Sequence, residues 1–274
     1  MPGRSCGTDD ERSAVSKTNP PSARPEAGKS LVLIPSFNSG ATLRKTVASV
    51  LLHWPLVLIV LDGSSDGSAK ELESLSSHPG LTILARKKNG GKGAAVLDGL
   101  RRAHEQGYTR VLVMDADGQH PPDKIKEFFD LAKKNPRAFI LGVPIFTQDA
   151  PKLRVYGRLG GNTFAEIETL WGGIRDSLFG FRVYPVKETL KIMERIRTGR
   201  GFDFDTEIAV RLYWEGLKPI NVPVPVAYPP KKLGGVSHFR YFRDNWLLVR
   251  RHIALLVQMV PRVPQLLFWR FMGR

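Results

Sequence analysis

The sequence predicts an α/β protein whose mostly parallel sheet is covered by helices, and three observations predict it. Short apolar runs alternate with stretches of helical spacing, four times over between residues 31 and 141. The connections between runs are long enough for the crossovers that parallel strands need. A polar cluster comes after each of the first four runs, at the strand end where open α/β sheets collect ligands.

Residues 1–29 are rich in Ser, Pro, Gly and mixed charge and read as a disordered tail. Leu31 to Ile34 forms the first buried strand, ended by Pro35. Leu43, Val47, Val50 and Leu51 give helical spacing from Ala41 to His53. Leu56 to Leu61 is the second strand, and Asp66 to Leu75 is helical with Asp66 as its cap. Leu81 to Leu84 is the third strand, Gly93 to His104 a helix, and Arg110 to Met114 the fourth strand. Pro121 and Pro122 open a helix running to about Lys134, since proline suits a first turn. Phe139 to Leu141 is a fifth strand. Beyond residue 145, Leu153 to Leu170 and Asp203 to Glu215 read as helices, with an aromatic, glycine-containing stretch from Ser177 to Tyr184 between them. Ile220 to Val226 alternates with prolines, which predicts an edge strand or an extended segment.

With 274 residues, 42% hydrophobic and 24% charged, the chain is long enough for one large core or two small ones and has a globular composition. Cys6 is the single cysteine and cannot form an internal disulfide. The net charge of +15 calls for an anionic partner: nucleic acid, a phospholipid surface or a polyanionic substrate. No stretch reaches the roughly 18 apolar residues that span a bilayer, and the amino-terminal residues have no apolar core of a secretory signal. The expected place is the cytoplasm, at a membrane surface.

The richest segment is Asp115-Ala-Asp-Gly-Gln-His120, directly after the fourth strand. Asp115 and Asp117 lie two residues apart at a strand end. Close carboxylates repel and are costly to desolvate, so such a pair favours a cation, and oxygen ligands favour a hard one such as Mg²⁺. A strand-end turn with solvated acids fits the same spacing. Asp62-Gly-Ser-Ser-Asp-Gly-Ser68 joins the second strand to a helix; Asp62 can accept a hydrogen bond from a base, whereas an Asx turn explains Asp66. Asn89-Gly-Gly-Lys-Gly93 precedes a helix amino end, where free N–H groups and Lys92 suit phosphate, although a solvated turn fits as well. It is not a P-loop, because Gly comes after the lysine and the glycine spacing differs.

Taken in order, Ile34-Pro35-Ser36-Phe37-Asn38, Leu61-Asp62-Gly63-Ser64-Ser65-Asp66-Gly67, Asn89-Gly-Gly-Lys-Gly-Ala-Ala95 and Asp115-Ala-Asp-Gly-Gln-His120 resemble the family 2 glycosyltransferases. The chain looks most similar to the branch that makes dolichyl- and polyprenyl-phosphate sugars. The resemblance covers residues 30–145 and continues more loosely through Asp176 to Arg182, Phe204 to Glu207 and Gly234 to Arg240. It implies a GT-A (Rossmann-like) fold over residues 30–238 and a UDP- or GDP-hexose donor, held by Pro35, Phe37, Asn38, Asp62, Lys92 and Asp115. Asp62 would sit near the base. Asp115 and Asp117 would hold Mg²⁺ or Mn²⁺ on the diphosphate, with Gln119 beside the metal and Asp117 and Gln119 at the reacting centre. Leu61, Ser39, Leu178 and Phe179 depart from the residues frequent in that family.

A divalent ion neutralises charge on a departing nucleoside diphosphate while the acceptor attacks the opposite face, which predicts inversion. A lipid-phosphate acceptor is already anionic and needs no base. A hydroxyl of a lipid or glycan would need one, and Asp205 is the candidate, although an acid at a helix amino end has a simpler explanation in the helix dipole. Arg182 and Arg240 are candidates to clamp the acceptor phosphate, or are surface arginines; a solvated role suits His238. Residues 239–274 read as an amphipathic segment that lies on an anionic membrane. From Arg240 to Arg274 there are seven arginines and one acid, Asp244, beside Trp246, Ile253, Phe268, Trp269 and Phe271, with Pro261 and Pro264 dividing the run in two. Packing of this segment on the catalytic domain is the alternative. A nucleic-acid-binding protein would match the charge but lacks a recognisable binding motif, so no nucleic-acid partner is expected. A non-catalytic relative is disfavoured by the presence of Asp115, Asp117 and Gln119.

Overall fold

The computed structural model describes residues 29–146, 152–196, 201–226 and 241–272. The proposed tail up to residue 28, Arg240, His238 and the glycine-flanked motif around them lie outside the described residues.

Seven strands form one sheet in the order β3-β2-β1-β4-β6-β5-β7. They are β1 (Ser30–Ser36), β2 (Val57–Asp62), β3 (Leu81–Arg86), β4 (Arg110–Val113), β5 (Ala138–Ile145), β6 (Arg182–Pro185) and β7 (Lys218–Pro225). Pairing is parallel between β1 and β2, β2 and β3, β1 and β4, and β5 and β7. β6 pairs antiparallel with both β4 and β5, so it alone runs against the rest. β7 is the edge strand that its prolines require, because an edge leaves one side of the backbone free of ladder bonds.

The central strands are apolar through their middles, Leu31 to Pro35 in β1, Val57 to Leu61 in β2 and Val111 to Val113 in β4, because both faces are covered. Along β1, Leu31 and Leu33 point into one core while Val32 and Ile34 point into the other. α1 (Gly40–His53) and α4 (Ile125–Lys134) close the second core with Leu43, Val47, Val50, Ile125 and Phe128. α3 (Lys92–Glu105), α6 (Val186–Arg195) and α7 (Phe204–Trp214) close the first with Val96, Leu100, Leu190, Met193 and Ile208. The helix expected over Asp66 to Leu75 is a short α2 (Ser68–Glu71) followed by a 3-10 turn, and Asp66 lies outside it.

α5 (Lys152–Glu168), α8 (Tyr241–Met259) and α9 (Val263–Phe271) are the remaining α-helices of the described residues. A 3-10 turn carrying Pro261 separates α8 from α9, at the break the prolines predict. Both helices pack on the catalytic layers: Leu255 and Leu266 enter the first core, and buried His252 meets buried Glu168 of α5 at 2.7 Å. Arg251 Nε and Nη2 donate to Asp203 Oδ2 at 2.9 and 2.7 Å, tying α8 to the start of α7. The outward faces nevertheless expose Trp246, Ile253, Val257, Phe268 and Phe271. Among the described residues no helix is long and apolar enough to cross a membrane.

Candidate active site

The carboxyl ends of β1, β2 and β4 lie side by side, so the loops leaving them meet over one cleft of about 570 Å³. Its wall includes Pro35, Phe37, Asp62, Lys92, Asp115 and Asp117. The β1–α1 and β2–α2 loops are laced together. Asn38, at φ 47°, donates its N–H to Ser64 Oγ and accepts from the Ser65 N–H, while Asp66 Oδ2 accepts from the Gly40 N–H. Asn38 therefore shapes the cleft rim and does not line it.

Asp62 is buried and anchors the glycine-rich loop: its carboxylate accepts from the N–H groups of Gly90 and Gly91 and pairs with Arg86. It remains on the cleft wall, but most of its lone pairs are already used. That loop delivers Lys92 to the first turn of α3. Lys92 Nζ lies 2.7 Å from Asp115 Oδ1 and 2.6 Å from Asp205 Oδ2. Burial lowers the Lys92 pKa, but the two carboxylates overcome it and hold the ammonium well above its ordinary value. Burial likewise pushes the Asp115 carboxyl up, and the Lys92 charge outweighs it and holds the group below the carboxylate range.

Asp117 has the opposite balance. Burial and then the charge of Asp115 push its pKa up to about 6. Its Oδ1 accepts the backbone N–H of Gln119 at 3.0 Å. The Gln119 side chain does not line the cleft. His120 turns inward between Phe179 and Phe181, and burial pushes its pKa down to about 4. Its neutral Nδ1 accepts the Asp115 N–H at 3.0 Å, which holds the loop that presents both acids.

Asp115 and Asp117 fit a hard divalent cation. Both offer oxygen to the cleft, and Asp117 carries a charge that its surroundings leave poorly compensated. Among the described residues no group of three or more His, Cys, Asp or Glu side chains is placed to hold a metal ion, so an ion at this pair would need further oxygens from water or phosphate.

The expectation for Arg182 needs correction. Its side chain is fully buried at the start of β6, and its guanidinium bonds the carbonyl oxygens of Phe179, Asp176 and Asp205. It cements the 176–182 loop to α7 and has no face toward an acceptor. Asp205 is also buried and does not line the cleft; its Oδ2 accepts from Lys92, and its Oδ1 is unpartnered among the described residues. Sequence reasoning missed Gly180, where a Cβ would lie 2.6 Å from both Asp115 Oδ2 and Lys92 Nζ. It also missed Phe202, Arg243 and Leu247, which α7's leading turn and α8 bring to the wall.

The family model for glycosyl transferase family 2 matches residues 31–205, which takes in every element of this cleft except α8. The chain belongs to that family. It is therefore a glycosyltransferase. Polyprenol monophosphomannose synthase of Mycolicibacterium smegmatis is 29% identical over 232 residues, covering 82% of this chain and 86% of that one. UDP-N-acetylglucosamine–dolichyl-phosphate N-acetylglucosaminyltransferase of Methanococcus voltae is 26% identical over 217 residues, covering 72% and 85%. Among solved structures, glucosyl-3-phosphoglycerate synthase of Mycobacterium tuberculosis, held with Mn²⁺, UDP and its product, superposes with a TM-score of 0.61. That match has 15% identity and covers 84% of this chain and 79% of that one, so it shows the GT-A type of fold.

Proposed function

We propose that this glycosyltransferase moves a hexose, with inversion, from a UDP- or GDP-sugar to the phosphate of a polyprenyl-type lipid, using Mg²⁺ or Mn²⁺. The observation that carries the reading is the pairing of two cleft carboxylates, Asp115 and Asp117, with a lysine that serves only the inner one directly. A bound divalent ion would supply charge neutralisation for the departing diphosphate. The chain's own residues orient the rest. Pro35 and Phe37 offer an apolar wall beside Asp62 for the nucleoside, and Lys92 adds positive charge at the amino end of α3.

The acceptor class is supported by the place of Asp205. Asp205 is not among the residues of the cleft wall and its Oδ2 accepts from Lys92, which argues against its serving as the base for a hydroxyl. An acceptor that brings its own negative charge needs no such base. The names of the relatives, which act on polyprenol and dolichyl phosphates, support the same class. The exposed apolar residues of α8 and α9, set among arginines, support peripheral contact with an anionic membrane on its cytoplasmic face.

The test supplies UDP- and GDP-hexoses with Mn²⁺, and offers an isoprenyl phosphate or the matching isoprenol. Transfer to the phosphate alone is expected, with the anomeric configuration of the product opposite to the donor's by NMR. Asp205→Asn should retain most of the transfer. Transfer only to the alcohol, abolished by Asp205→Asn, would favour the hydroxyl reading.

A further inference from the structure

We propose that Arg243 grips the phosphate of the acceptor, and that the outward ridge of α8 leading away from it receives the acceptor's hydrocarbon chain. The inference rests on the lipid-phosphate reading and assigns the residues that would recognise that acceptor.

An anionic acceptor entering the cleft needs a cation that faces it. Arg182 is spent on buried carbonyl groups. Lys92 is spent on Asp115 and Asp205. Arg86, beside the cleft, is spent on Asp62 and Asp98. Arg243 differs from all three: it lines the cleft with Asp115 and Asp117, and its side chain is exposed. It stands in the first turn of a 19-residue helix, where the positive end of the helix dipole adds to its charge. Asp244, next in the chain, also lines the cleft but is buried, so Arg243 is the side chain of this turn that reaches out toward an anion.

The helix beyond Arg243 supplies the second observation. Trp246, Arg250, Ile253 and Val257 continue along α8 at spacings of three, four, three and four, so they share one helix face with Arg243. All are exposed, the three apolar ones at 61%, 56% and 67%. The face runs for about 21 Å at the helical rise and carries no acid. A row of exposed large apolar side chains marks a binding surface. Two arginines with no acid match an anionic headgroup or phosphate, and the apolar residues between them match the chain attached to it. A lipid phosphate held at Arg243 would thus place its charged end in the cleft and its tail along the ridge.

The experiment measures binding of geranyl phosphate to the Mn²⁺–nucleoside diphosphate complex by calorimetry, and turnover with a long-chain polyprenyl phosphate in vesicles. Arg243→Ala should weaken geranyl phosphate roughly 10- to 100-fold, the loss of one charge-assisted contact, and leave nucleotide affinity unchanged. Arg243→Lys should recover part of it. Ile253→Glu should lower turnover with the long-chain lipid while sparing geranyl phosphate. If the wild-type protein binds geranyl phosphate and Arg243→Ala binds it equally well, the proposal falls while the acceptor class stands. If nucleotide affinity drops in parallel, Arg243 belongs to the donor side and the proposal falls. If Ile253→Glu instead splits a dimer, the ridge seats a second copy and the proposal for the hydrocarbon chain falls. If the wild-type protein binds no isoprenyl phosphate and transfers only to an alcohol, the acceptor reading itself has failed.

Discussion

The cleft carboxylates make cation binding depend on pH in a way that an ordinary acid pair would not. Burial and the charge of Asp115 push Asp117 to a pKa of about 6. A proton and a divalent cation compete for this carboxylate, so affinity falls as pH falls. Between about pH 7.5 and about pH 5 the ionised fraction drops roughly tenfold for a pKa near 6, and by under about 10% for a carboxylate near 3.9. No neighbour confuses the measurement. Asp115 is held low and Lys92 high, so both keep their charge, and His120, pushed down to about 4, stays largely neutral across this range. Folding stability alone is a poorer probe. Asp117's raised pKa contributes stability below about 4 that is lost as pH rises through about 6, on the order of 3 kcal/mol. His120's depressed pKa contributes stability above about 6.5 that is lost as pH falls toward about 4, and so offsets it. The assay is a Mn²⁺ titration monitored by the electron paramagnetic resonance signal of the free ion, at both pH values. Wild-type affinity should fall about tenfold at the lower pH. Asp117→Asn should bind more weakly and show no such slope. Equal wild-type affinity at the two pH values would refute the argument that Asp117 is a strained, cation-seeking group.

The packing around the cleft sets three further outcomes. Lys92→Met leaves Asp115 and Asp205 facing each other without their shared cation, which should cost about 3 kcal/mol in a urea melt; Mn²⁺ should stabilise this variant more than the wild type. Gly63→Ala puts a Cβ 2.5 Å from the Asn89 backbone nitrogen at a φ of +67°, so the two loops must part; about 1–3 kcal/mol of stability and nucleotide binding should be lost together, read by thermal shift with and without nucleotide. Leu255→Ala empties a fully buried site between α8 and the catalytic layers and should cost about 2–5 kcal/mol in the same melt, with faster hydrogen exchange in α8.

The strand-end loops were legible in the sequence because apolar runs lead directly into them. Val111 to Met114 needs no distant information to be read as a buried strand that delivers Asp115. The edge position of β7 was legible from its prolines for the same local reason. β6 was not, because nothing in Arg182 to Pro185 states which way it runs between β4 and β5. α6 passed unread although Val186, Leu190 and Met193 lie four and three residues apart on one buried face. Arg182 was misplaced because its partners, Asp176, Phe179 and Asp205, come together only through the sheet. Arg243 was hidden for a related reason. The C-terminal segment reads as amphipathic, but sequence spacing does not reveal that its first turn reaches the cleft.

The distribution of charge separates the parts of this site that hold the fold from the part that meets a ligand. Lys92 compensates Asp205 and Asp115 at hydrogen-bond distance, Arg251 compensates Asp203, and Arg158 compensates Asp176. These pairs are largely buried and would be costly to break. Asp117 is the exception: it sits on the wall with a backbone N–H for support, and its charge is held against both burial and a like-charged neighbour. A carboxylate serving only stability would gain by having a lysine or arginine of its own, as the others do. It shares the cleft wall with Arg243, for which no ion pair occurs among the described residues. A cation at Asp117 and an anionic acceptor at Arg243 would complete both without any rearrangement of the buried pairs. On the proposed reading, that complementarity would offset the cost of holding Asp117 at the cleft wall.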